Sequence, residues 1–209
     1  MPTLALIGDS ILDNRAYTKP SPDTATRLRE SLGSDWTVEL LAQDGATIAD
    51  IRFQLSSLAS KSDCAVLSVG GNDAVEHIGL LSRPAQSAAE VLAALNDIAG
   101  PFAKEYEQLL TDLRPKVERL IVCTIYEPAL SNPTAARLAT VPLAILNDRI
   151  LRAALRGKAD VIDLRSVCTS PTDFVLEIEP SAEGAAKIAQ AIHRAVLSHA
   201  PTSGRIFAT

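Results

Sequence analysis

Apolar and β-branched residues cluster in five short runs, Leu4–Ile7, Trp36–Leu41, Cys64–Val69, Leu120–Tyr126 and Val161–Leu164, which predict five strands. Between them the apolar positions take helical spacing. Asp23–Leu32 has a cap in Asp23 and a stop at Gly33, and Ile48–Leu58 follows the second strand. Ser87 and Glu90 form a capping box, in which each side chain satisfies a backbone donor at a helix start. Val91, Leu95, Ile98, Phe102, Tyr106, Leu109 and Leu113 then recur at three- or four-residue steps, the stripe of a core-facing helix that Gly100 and Pro101 are expected to kink or split. Pro142–Leu155 and Ser181–Leu197 complete the set, the last entered by a Pro-Ser cap with Glu183 in its first turn. Strands alternating with helices imply an α/β fold whose parallel sheet is covered on both faces, with ligands gathered where strands end. Residues 1–200 read as one domain and 201–209 as a tail. Glu127–Val141, rich in Pro, Asn and Ala, reads as a surface loop or lid.

Composition narrows the partners. The chain has 209 residues, 47% of them hydrophobic, enough for a sizeable core. Its net charge of −5 and scattered basic residues oppose nucleic-acid binding, which needs a surplus of Lys and Arg against phosphate. No apolar run is long enough to span a membrane, and Gly8 and Asp9 cut the first one too early for a signal peptide, so a cytoplasmic location is expected. Cys64, Cys123 and Cys168 are odd in number and lack C-x-x-C spacing, which predicts buried thiols rather than disulfides or zinc ligands.

The candidate chemistry sits at strand ends. Leu4–Ile7 runs into Gly8-Asp9-Ser10, which puts a serine at the carboxyl end of the first strand. Alone, that tripeptide is also an ordinary turn. Gln43-Asp44-Gly45-Ala46 follows the second strand and Gly70-Gly71-Asn72-Asp73 the third. The Asn72 amide and the Gly45 N–H are suited to face a negative charge developing on a carbonyl oxygen. There is no G-x-S-x-G elbow, P-loop, G-x-G-x-x-G or H-E-x-x-H, and no cofactor or metal is expected.

The ordered set Gly8-Asp9-Ser10, Gly45 and Gly70-x-Asn72-Asp73 resembles the first three blocks of the SGNH (GDSL-type) hydrolases, and the resemblance covers most of the chain. It implies a flavodoxin-like three-layer α/β/α fold around a five-stranded parallel sheet. It also implies Ser10 as nucleophile, an oxyanion hole from the Ser10 N–H, Gly45 N–H and Asn72 amide, and a small-molecule ester as substrate.

The fourth block departs from the family. Where the family has Asp, two residues, then His and usually Pro before the last helix, this chain reads Leu176-Glu177-Ile178-Glu179-Pro180-Ser181. Aligned on Pro180-Ser181, Glu179 takes the histidine's place and Leu176 the aspartate's. An unperturbed Glu, with a pKa of about 4.3, is a base weaker than imidazole by roughly two units. Its place ahead of a helix N-terminus is expected to keep it ionised, unless an apolar pocket raises it. Two classes stay open: a slow ester hydrolase, and a ligand-binding or regulatory protein on a hydrolase fold. His77, five residues after Asn72, is an alternative base, whereas His193 and His199 read as surface positions of the last helix. Asp9, Asp13, Asn14, Asp44 and Asp73 are expected to hydrogen-bond turn backbones, and Asp163 to cap or turn. Acyl and alcohol specificity and oligomeric state are not legible.

Overall fold

A computed structural model describes residues 1–58, 61–198 and 206–207. In chain order the elements are β1 (Thr3–Gly8), α1 (Arg15–Thr18), α2 (Thr24–Leu32), β2 (Thr37–Leu40), α3 (Ile51–Ser56), β3 (Ser62–Ser68), α4 (Gly71–Glu76), α5 (Ala88–Leu113), β4 (Val117–Cys123), α6 (Pro133–Arg156), β5 (Asp160–Ile162), α7 (Leu164–Val167), β6 (Phe174–Val175), β7 (Glu179–Pro180), α8 (Ala182–Leu197) and β8 (Ile206–Phe207).

The five expected strands pair in parallel in the order β2-β1-β3-β4-β5. The segment read as a tail contributes a further short strand, β8, parallel to β5 at the sheet edge. Two residues of strand are too short for any periodicity to reveal.

Successive residues of β1 face opposite ways, and both faces are apolar, as a sheet covered on each side requires. Leu4 and Leu6 pack with Leu28 of α2 and Ile188 and Ile192 of α8. Ala5 and Ile7 pack with Ile51 of α3, Tyr106 of α5 and Ile150 of α6. The three layers are therefore α2 and α8, the sheet, and α3, α5 and α6. The chain leaves β1 for β2 on one side and returns to β3 on the other. The strand order thus reverses between β1 and β3, and a crevice opens beyond their carboxyl ends.

Several local expectations change. Pro101 lies inside α5, which runs unsplit for 26 residues. The segment read as a lid is mostly helix: α6 begins at Pro133, where Asn132 accepts N–H bonds from Thr134 and Ala135. An Asn cap followed by Pro at the first helical position is a start signal, which the exposed Leu138 and Val141 disguised by breaking the apolar stripe. Pro142 therefore sits inside α6 rather than at its start. The stretch before the last helix is a small antiparallel hairpin of β6 and β7, in which Val175 pairs with Glu179. All three cysteines are free and buried, and burial pushes the Cys64 and Cys168 thiols up to about 12. Among the described residues no helix is long and apolar enough to cross a membrane, and no cluster of His, Cys, Asp or Glu is arranged to hold a metal ion.

Candidate active site

Gly8 closes β1 in a conformation with φ +143°, against the backbone of β3. A Cβ there would lie 1.8 Å from the Ser68 carbonyl oxygen, so only glycine lets the two strand ends approach this closely. Gln54 of α3, buried between Ile51 and Leu55, reaches up from the helix layer and grips Gly8 twice. Its amide oxygen accepts the Gly8 N–H and its amide nitrogen donates to the Gly8 carbonyl, both at 2.8 Å. Asn147 of α6 does the same at the end of β4, holding the N–H and the carbonyl of Ile125. Neither amide was identified from the sequence. The signal was there, a polar residue on an otherwise apolar helix face.

From Gly8 the chain enters a single turn in which the Leu12 and Asp13 N–H groups return to the Asp9 carbonyl. Such a turn leaves its first N–H groups unsatisfied. Asp9 takes the Ile11 N–H through its side chain, while the Ser10 N–H has no acceptor among the described residues. Ser10 itself is buried at the floor of a cavity of about 150 Å³.

Asn72, near the start of α4, lines the same cavity. Its amide donates one bond to the Ala46 carbonyl at 2.9 Å, which fixes its orientation. The neighbouring Asp73 accepts the Ile48 N–H. Gly45 lies in that same loop with φ +81°, outside the cavity lining. Its N–H has no acceptor among the described residues. The acidic turn residues act over longer range than expected: Asp13 accepts the Asp44 N–H, and Asp44 accepts the Tyr17 hydroxyl. Asn14 binds both Ile11 and Thr24, and Asp163 caps α7.

Glu179 lines the cavity beside Ser10, two residues ahead of the Ser181 cap of α8. Burial lifts its pKa above the ordinary range, the adjacent Ser10 hydroxyl pulls it down, and the negative charge of Asp44 adds a smaller upward push. This is the exception allowed for in the sequence, an apolar pocket raising the group against the helix start. Its Oε2 is buried with no hydrogen-bond partner among the described residues. Leu176, at the family's aspartate position, is 76% exposed at φ +49° and orients nothing. The hairpin is held instead by the Tyr126 hydroxyl, which donates to the Ile178 carbonyl, and by Glu177, which accepts the Ala129 and Ser131 N–H groups. Behind it, Lys187 pairs with the fully buried Asp173, and Gly184 lets α8 approach the Asp173 carbonyl.

His77 lines the cavity too, but on its exposed side at the end of α4. His193 is half-buried on α8 away from the cavity, and His199 lies outside the described residues.

Asp9 is the other unusual acid. It is 3% exposed, and burial raises its pKa to about 8, the Ile11 N–H opposing and Glu179 and Asp73 adding to the rise. An unfolded aspartate loses its proton near 3.8. Below that pH both states are protonated and the group costs nothing. Between there and about 8 only the folded state holds the proton, so stability falls by about 1.4 kcal/mol per pH unit and then levels. Asp9→Asn keeps the oxygen that accepts from Ile11 and removes this slope. In denaturant titrations its stability relative to wild type should therefore be higher at pH 8 than at pH 5. An equal difference at both would mean that Asp9 ionises freely in the folded protein.

The profile of the GDSL-like lipase/acylhydrolase family matches residues 6–187. A search of curated proteins finds no match. Among solved structures, a lipase from a goat rumen metagenome superimposes with a TM-score of 0.72 at 16% identity, covering 93% of this chain and 97% of its own. Phospholipase A1 from Streptomyces albidoflavus gives 0.68 at 17%, covering 93% and 98%. The acetylxylan esterase Axe2 from Geobacillus stearothermophilus gives 0.64 at 17%, covering 95% of each chain. At these identities the likeness is one of fold.

Proposed function

The chain belongs to the GDSL-like lipase/acylhydrolase family, and on that footing we propose that it is an ester hydrolase in which Ser10 is the nucleophile and Glu179 its base. The observation that carries this reading is the meeting of the Ser10 hydroxyl with a carboxylate of raised pKa in a buried cavity.

In this mechanism the Ser10 oxygen attacks the ester carbonyl carbon while Glu179 takes the hydroxyl proton. The carbonyl oxygen becomes an anion facing the Ser10 N–H and the second amide hydrogen of Asn72; Gly45, outside the cavity lining, is left out of this pair. Collapse of the tetrahedral species breaks the bond to the alcohol, which leaves with the proton from Glu179. Water, deprotonated by the same carboxylate, then releases the acid and restores Ser10.

This chemistry accounts for two losses at once. An imidazole becomes a cation when it takes a proton and uses an aspartate to hold its tautomer and stabilise that charge. A carboxylate becomes neutral, so burial favours its protonated form and no partner is needed at Leu176. The negative charge passes from Glu179 to the oxyanion, and the net charge of the site is unchanged.

The test is a pH profile of kcat/KM on p-nitrophenyl butyrate. Glu179 acts only when ionised, so activity is lost as pH falls through its raised pKa. Asp9, ionising near 8, places a second negative charge beside the forming oxyanion and gives a falling limb above that pH. Glu179→Gln should cost about 10²-fold or more and abolish the acid limb. Asp9→Asn should abolish the alkaline limb alone. Turnover unaffected by Glu179→Gln would assign the base elsewhere, His77 first. A binding protein with no hydrolytic role would show neither turnover nor labelling of Ser10 by a fluorophosphonate.

A further inference from the structure

The cavity is far more apolar than proton transfer requires. Beyond Ser10 it runs under the segment after α4 and between α5 and α6, walled by Ile78, Leu81, Leu95, Ile98, Leu143 and Leu146. The polar residues on its β4 side offer a ligand nothing: the Thr124 hydroxyl donates to Asp163 and accepts the Leu164 N–H, and the Tyr126 hydroxyl is committed to the Ile178 carbonyl. Along these apolar walls and the β4 side a sugar or other polyol would leave its hydroxyls without partners, at a cost hydrocarbon does not incur; the remaining polar lining, Asp9, Ser68, Asn72 and His77 among it, belongs with the Ser10 and Asn72 strand ends and with α4. The apolar surface also continues outward, for Ile78 is 54% exposed at the mouth. On the other side of Glu179 the neighbours are polar, Asp44 and Tyr17, joined by a hydrogen bond and lying outside the chamber.

We infer that the chamber holds an unbranched aliphatic acyl chain, and that the leaving alcohol lies on the polar side toward Asp44 and Tyr17. The inference rests on the hydrolase reading for its chemistry and adds the class of substrate. An apolar cavity of about 150 Å³ is of the size that takes up a six-carbon ring, so hexanoyl is the chain length at which the chamber is expected to be filled. Because the mouth is open, longer chains are accommodated without gaining as much per carbon.

The experiment measures kcat/KM for p-nitrophenyl esters from acetyl to decanoyl and, separately, for alkyl acetates from methyl to octyl. In the acyl series the value should climb about fourfold per methylene as far as hexanoyl, the factor expected for burying one such group, and then flatten. The alcohol series should stay within a few fold. Ala139 lines the chamber from α6, and Ala139→Phe should shift the optimum toward shorter acyl chains. Leu81→Trp, at a half-buried position of the segment after α4, is a second filling variant and should shift it the same way. An optimum at acetyl, or a rise in the alcohol series without one in the acyl series, would overturn the assignment. If no ester gives turnover dependent on Ser10, the hydrolase reading fails, and the chamber is then judged by binding alone. Calorimetry of Ser10→Ala with 1-butanol, 1-hexanol and 1-octanol should still show affinity rising with chain length, and affinity that does not would overturn the chamber too.

Discussion

Ser10→Ala is expected to lower kcat/KM for p-nitrophenyl hexanoate by about 10³-fold while leaving the fold intact. The figure is smaller than the roughly 10⁶-fold seen when a complete triad loses its serine, because the carboxylate base starts from a lower rate. Background catalysis by donors aimed at the oxyanion persists in the variant, since the Ser10 N–H and the Asn72 amide do not depend on the hydroxyl. The side chain is small and removes only the contact with Glu179, so thermal unfolding should be little changed. That contact also pulls the Glu179 pKa down, so the variant should bind a proton at Glu179 at higher pH than wild type. A loss of less than about tenfold would show that the serine is not the nucleophile. The paired measurement of labelling by a fluorophosphonate would then locate the group that is.

Gly8→Ala should have the largest effect on stability. The added Cβ would meet the Ser68 carbonyl at 1.8 Å, and φ +143° is a conformation that alanine resists. Backbone strain costs about 1–3 kcal/mol and forced overpacking a similar amount, so a loss of about 4 kcal/mol is expected. For a domain of this size that corresponds to a fall in Tm of about 10 °C, readable by scanning calorimetry. The neighbouring strands cannot simply part, because β1 is paired on both sides and Gln54 holds the same residue. A Tm within about 2 °C of wild type would mean that the ends of β1 and β3 are looser than this packing allows.

The sheet, its layers and the position of Ser10 were legible because each rests on local information: apolar runs, caps and a turn directly after a strand. Ser10 and Asn72 were both expected at the carboxyl ends of strands, and the strand order, which the sequence does not reveal, brings those ends to one cavity. What escaped is set by tertiary packing. The protonation of Asp9 and Glu179 depends on how much solvent the surrounding helices remove, which no neighbour in sequence records. For Glu179 the helix start pointed one way and an apolar pocket the other, and which prevails is decided by burial that the sequence does not record. The start of α6 was hidden for a different reason: its first turns face solvent on one side with Leu138 and Val141, so the apolar stripe begins only near Leu143. Gln54 and Asn147 stand at core positions of their helices, and a polar residue there reads as an imperfection until its partner is seen.

Those two amides bear on how the molecule fluctuates. Hydrogen bonding along a sheet ordinarily thins out at strand ends, so these are the places from which opening begins. Here the last backbone groups of β1, and Ile125 just beyond β4, are fastened to the helix layer beneath, by Gln54 at one point and Asn147 at the other. Releasing the Gly8 or Ile125 amide to solvent therefore requires displacing a buried side chain of α3 or α6, an event closer to global unfolding than to local fraying. The rim that carries the serine thus shares the cooperativity of the core.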